Sequence, residues 1–118
     1  MIYNELEKTT IFPLRAYVHR HPDHIYQMSF LDGECVECVW TADYESSNEE
    51  EFGISPEDED YCQFNASGFK ITNVIIPGKW TQYGYINLGF WCFPIKIIDT
   101  SDNTIVYLSD SGFSDLEN

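Results

Sequence analysis

Two short stretches hold most of the side chains that could bind a metal or act as nucleophile and base: His19-Arg20-His21-Pro22-Asp23-His24 and Cys35-Val36-Glu37-Cys38. On a strand, His19 and His21 face the same way, and a Cys-x-x-Cys turn would complete a tetrahedral zinc set from His19, His21, Cys35 and Cys38. The spacing argues against that set. Cys35 to Cys38 lie inside a strand-like run, where residues three apart point to opposite faces unless a bulge intervenes. There is no second Cys-x-x-Cys, and Cys62 and Cys92 read as small buried hydrophobes. A redox reading lacks the βαβ pattern that usually surrounds such a motif. The order Asp43-x-Glu45-x-Ser47 starts like a calcium loop, but its sixth position is Asn48 rather than Gly and its twelfth is Ile54 rather than Glu. No local signature makes a Cys or Ser a nucleophile, so neither a cofactor nor a catalytic residue is expected.

Charge is the stronger signal. Between Arg20 and Lys70 there are thirteen carboxylates and no Lys or Arg, and nine of them fall within residues 43–60. One reading of that stretch is a solvated loop that keeps the chain soluble. The sharper reading is a decoy for phosphates, because enzymes that act on nucleic acid hold it on Lys and Arg clusters shaped for closely spaced negative charge. Glu49, Glu50, Glu51, Glu57, Asp58, Glu59 and Asp60 are then the contact residues, with Phe52 and Ile54 as apolar anchors between the two acid runs.

The elements that must carry these groups are short strands. Runs rich in Tyr, Phe, Trp, Ile, Val and Thr, broken by Gly, Pro, Asp or Asn, predict strands at 14–20, 25–31, 35–42, 69–76, 85–93, 95–99 and 104–108. Asp32-Gly33 predicts a two-residue hairpin turn, and Asp99 to Asn103 a turn in which Asx side chains bond their own backbone. The expected fold is a mainly β, single-domain antiparallel sandwich or partly open barrel over residues 1–118. It carries a long acidic loop at 43–60, at most a short helix, and a fraying tail at 112–118. Within the loop, Ser55-Pro56-Glu57 suits the start of one helical turn. From Tyr61 to Ile98 the chain has three lysines and no acid. Its aromatic residues there, Trp80, Tyr83, Tyr85, Phe90, Trp91 and Phe93, are expected mostly in the core, with Lys79, Trp80 and Tyr83 as surface exceptions.

A net charge of −14, from 20 acids and 6 bases, excludes direct binding to nucleic acid or an anionic membrane and favours a basic protein partner. The first residues lack the basic and apolar runs of a signal peptide, and no apolar stretch approaches the roughly 20 residues of a membrane span. A cytoplasmic protein with reduced cysteines is expected. Small size, an aromatic β-core and a concentrated acidic insertion together resemble bacterial toxin-immunity proteins, including those of contact-dependent growth-inhibition systems. That resemblance implies a non-catalytic inhibitor whose carboxylates mimic nucleic acid and block a nuclease-type toxin. The alternatives are a small metal- or ligand-binding β-domain and, third, a hydrolase.

Overall fold

The computed structural model describes residues 3, 5–47, 53, 55, 57, 59 and 63–109. Its centre is one open antiparallel sheet built from β1 (Tyr26–Ser29), β2 (Cys35–Ser47), β3 (Gln63–Ile76), β4 (Tyr85–Leu88), β5 (Lys96–Asp99) and β6 (Thr104–Leu108). The strand order is β4-β3-β2-β1-β5-β6. The architecture is mainly β with one short helix, as the strand-length runs require, and it takes the form of a single open layer.

One helix, α1 (Ile11–Arg20), covers one face of that layer. This corrects the strand expected at 14–20. Ile11, Leu14 and Val18 recur at the helical spacing of three and four, and all three are buried against Tyr26, Met28, Val36, Cys38, Phe69, Ile86, Leu88 and Ile97. The β-branched and aromatic content of the segment favours a strand, but the sheet needs an apolar cover, and only a helical period puts these three side chains on one stripe. Pro13 is tolerated because it lies in the first turn, where its missing N–H has no intrahelical partner anyway.

Three further boundaries move. β2 and β3 are longer than their apolar patterns: β2 runs through Asp43, Tyr44, Glu45 and Ser46 to Ser47, and β3 begins at Gln63 rather than Phe69. Each supplies the other with a partner, from Tyr44 opposite Ala66 out to Ser47 opposite Gln63, and pairing overrides weak intrinsic preference. The first five residues of the expected acidic loop are therefore strand. β4 ends at Leu88 and not at Phe93; Gly89 breaks it, and Phe90–Cys92 form a 3-10 turn. The hairpin at Asp32-Gly33 holds with three loop residues instead of two. The Gly33 N–H donates to Phe30 O at 3.0 Å and the Phe30 N–H to Glu34 O at 2.8 Å, with Gly33 at a φ of 96°, which favours glycine.

The turn between β5 and β6 forms as the sequence indicates: the Ser101 N–H donates to Asp99 Oδ1 at 3.0 Å, and the Thr104 N–H to Asp102 Oδ1 at 3.1 Å. Among the described residues no helix is long and apolar enough to cross a membrane. The tail at 112–118 lies outside the described residues.

Candidate functional site

The two long strands project past their neighbours. β1 pairs only with Cys35 to Cys38 of β2, and β4 only with Ser67 to Lys70 of β3. The distal part of the β2–β3 ribbon therefore needs support from elsewhere, and the N-terminal segment supplies it. Arg15 reaches from α1 to donate to Ala66 O at 2.6 Å, Tyr44 O at 3.0 Å, and Asn65 Oδ1 and Ser67 Oγ at 3.3 Å. Glu7, fully buried in the 3-10 turn Glu5–Lys8, accepts the Asn65 backbone N–H at 2.6 Å and its side-chain amide at 3.1 Å. These contacts tie the distal ribbon, beyond the stretches that β1 and β4 pair with, to α1 and the N-terminal turn.

Asp43 completes the arrangement. Its carboxylate accepts from Ser67 Oγ at 2.7 Å and Trp40 Nε1 at 3.0 Å, and lies 2.5 Å from His19 Nε2 and 3.7 Å from Arg15 Nε. Burial acts to raise its pKa, but the hydrogen bonds from Ser67, His19 and Trp40 and the charge of Arg15 outweigh it and hold the group below the ordinary range. Arg15 and His19 are four residues apart on α1 and so share a face of it.

The fixed end of the ribbon places the acidic segment. Ser47 pairs with Gln63, so residues 48–62 leave and return at one point. Those fifteen residues carry seven acids and no Lys or Arg. Of the expected contact residues, Glu57 and Glu59 are exposed, and the Glu57 N–H donates to Ser55 Oγ at 3.3 Å, the side-chain bond expected for the Ser55-Pro56-Glu57 turn. Glu49, Glu50, Glu51, Phe52, Ile54, Asp58 and Asp60 lie outside the described residues.

The four zinc candidates are engaged separately. His19 meets Asp43, and His21, which ends α1, packs its ring 4.6 Å from that of Tyr17. His19 and His21 thus do not share a strand face, because their segment is helical. Cys38 is fully buried with its sulfur 3.5 Å from Tyr26 O, and Cys35 is buried beside Ser29. Burial, with the charge of Glu37 adding to it, pushes the Cys38 thiol pKa far up and keeps it protonated. Among the described residues the metal-capable group is a different one, His24, Asp99 and Asp102. Cys35, Cys38 and Cys92 carry free thiols; Cys62 lies outside the described residues.

The aromatic half divides differently from the expectation. The large aromatic side chains in the deep core are Tyr26, Phe64 and Phe69, whereas Trp80 and Phe93 pack only on its margin and Trp91 is exposed. Lys79 Nζ stands 5.0 Å from the centroid of the Trp80 ring, and Tyr83 is exposed, as expected for that corner. A shallow pocket of about 320 Å³ opens there between Phe30, Leu31, Trp80, Trp91 and Phe93. Its floor is Glu34, fully buried, which accepts the backbone N–H groups of Trp80 at 3.2 Å and Thr81 at 2.9 Å and the Thr81 hydroxyl at 2.7 Å.

Sequence reasoning missed Glu7, Arg15, Glu34 and Asn65. The i, i+4 spacing of Arg15 and His19 could have flagged one of them once the segment was read as helix. Glu7 and Glu34 act on partners 58 and 47 residues away in the chain, and nothing local marks them. Comparison with known proteins finds no family model, no curated protein and no solved structure that matches this chain.

Proposed function

We propose that this is a non-catalytic inhibitor, an acidic binding protein that blocks a basic partner in the manner of an immunity protein against a nuclease-type toxin. The observation that carries the reading is the closure of the seven-acid segment by the Ser47–Gln63 pair at the tip of a braced ribbon. Tethered ends keep the segment's carboxylates within one loop's reach of the ribbon tip, so their field adds up on the surface a nucleic-acid-binding partner would meet. Much of the ordering of the ribbon is done before the partner arrives, because Arg15, Glu7 and Asp43 already hold it, and that lowers the cost of binding. The expected setting is the bacterial cytoplasm, where the partner would meet its nucleic-acid substrate.

The test pairs this protein with a basic nuclease-type toxin, sought first in the open reading frame beside its own gene. Association should be fast at low salt and slow steeply as ionic strength rises, since exposed charges are screened beyond about 10 Å at 0.1 M. Replacing Glu49, Glu50, Glu51, Glu57, Asp58, Glu59 and Asp60 by the corresponding amides keeps size and removes charge. Protection and association rate should both fall while the fold survives. Protection that persists in that variant would refute the decoy and leave the segment as a solubilising feature.

A further inference from the structure

A second cluster lies at the other flank of α1, away from the acidic ribbon. Asp99 at the end of β5 is fully buried, and its Oδ2 sits 2.6 Å from His24 Nδ1 and accepts the Tyr17 hydroxyl at 2.8 Å. Its Oδ1 takes the Ser101 N–H at 3.0 Å. Asp102 comes from the β5–β6 turn, where Oδ1 is occupied by the Thr104 N–H at 3.1 Å. One ligand atom from each of His24, Asp99 and Asp102 lies within 4.8 Å of the others.

We infer that His24, Asp99 and Asp102 form a binding site for a divalent transition-metal ion, with Zn²⁺ as the chemical type. One imidazole nitrogen and two carboxylates suit a borderline ion better than calcium, which takes six or more oxygens, or a soft ion that prefers thiolate. The geometry requires a small retreat of His24 and an approach by the exposed Asp102 carboxylate, since the three ligand atoms lie within 4.8 Å of one another. Zinc bonds of about 2.0–2.2 Å put neighbouring ligand atoms roughly 3.3 Å apart in a tetrahedron, so His24 must retreat by only a fraction of an ångström from its bond to Asp99. His24 belongs to the irregular link between α1 and β1, which permits that shift. The ion replaces the proton between Nδ1 and Oδ2: in a neutral imidazole that proton moves to Nε2 by exchange with solvent, and an imidazolium, already protonated at Nε2, releases one to solvent.

The surroundings already resemble an outer ligand shell. The Tyr17 hydroxyl and the Ser101 N–H orient the Asp99 carboxylate, which fixes a ligand before the ion arrives. Asp102 is exposed and His24 partly so, which gives the ion a path from solvent and leaves room for water in the remaining positions. The net charge of −14 raises the local concentration of cations. Bound there, the ion would tie the link after α1 to the β5–β6 turn and stabilise the fold, a role independent of the partner-binding ribbon.

The test is calorimetric titration of the full chain with ZnCl₂ at about 0.15 M salt, with calcium in excess to occupy scattered carboxylates. One Zn²⁺ per chain is expected. His24→Ala and Asp102→Asn should each weaken it at least about tenfold, and Tyr17→Phe by roughly tenfold through the outer shell. Asp102→Asn keeps the acceptor for the Thr104 N–H, so its effect cannot be attributed to misfolding. The His24 Nδ1 resonance in ¹⁵N spectra should shift on zinc addition, with the tautomer fixed at Nε2–H. Absence of a one-to-one site, or zinc affinity unchanged in either His24→Ala or Asp102→Asn, would overturn the assignment.

Discussion

Asp99→Ala removes the acceptor that joins α1, the link after it and the β5–β6 turn. Three donors lose their partner: the Tyr17 hydroxyl at 2.8 Å, His24 Nδ1 at 2.6 Å and the Ser101 N–H at 3.0 Å. Removing one member of a buried charged network costs about 3–5 kcal/mol, because the groups left behind stay desolvated without compensation. The lower end applies here, since the His24 side chain is 31% exposed and can turn to water. At roughly 3–6 °C per kcal/mol for a chain of this size, a loss of about 3 kcal/mol lowers Tm by around 10–15 °C. Urea unfolding followed by tryptophan fluorescence reads the same loss as a lower midpoint at unchanged slope. Asp99→Asn keeps one acceptor oxygen, enough for the Ser101 N–H, and turns an NH2 toward the Tyr17 hydroxyl and His24, which must then accept; it should cost about 1–2 kcal/mol, less than Asp99→Ala. A double-mutant cycle with Tyr17→Phe should return a coupling on the order of 1 kcal/mol. An Asp99→Ala variant within about 0.5 kcal/mol of the parent, the range of an ordinary surface substitution, would refute the reasoning.

Acid should expose the same network. Burial raises the pKa of both Asp99 and Asp43, yet the His24 and Tyr17 hydrogen bonds in one case, and those from Ser67, His19 and Trp40 in the other, bring the net shift below the ordinary range. A depressed folded pKa gives stability that is present above the unfolded value of about 3.9 and lost as pH falls through the folded value. Chemical denaturation between pH 6 and pH 2 should show that loss, shallower in an Asp43→Asn, Asp99→Asn variant; an equally steep limb would contradict it. Glu34→Ala strands the Trp80 and Thr81 N–H groups and should cost about 1–3 kcal/mol, with altered Trp80 fluorescence and near-ultraviolet dichroism. Leu14→Ala empties a fully buried site between α1 and the sheet and should cost about 2–5 kcal/mol by denaturant titration, whereas a strand-like surface position at 14 would lose almost nothing. Gly78→Ala places a Cβ 2.6 Å from that of Glu34, so the 77–84 loop must shift, and a Tm equal to the parent's would show that it is looser than its contacts imply.

What the sequence determined was whatever depends on neighbours in the chain. Runs of β-branched and aromatic residues between turn signals marked the strands expected at 25–31, 95–99 and 104–108, which form at Tyr26–Ser29, Lys96–Asp99 and Thr104–Leu108; Asp32-Gly33 marked a hairpin, and the Asx side chains at 99 and 102 marked their own turn. The charge of −14 and its concentration at 43–60 were equally plain, and they direct the proposed function. Tertiary structure decided the rest, for reasons no local window contains. Residues 11–20 have strand-like composition and become a helix because an open sheet must be covered on its apolar face. Polar residues 43–47 and 63–66 become strand because each run finds the other across the acidic segment. Arg15 finds ribbon carbonyls, Glu7 and Glu34 find backbone amides, and Asp99 finds Tyr17 and His24, all across large sequence separations. A buried charge is stable only where its partners converge, and that convergence belongs to the folded chain.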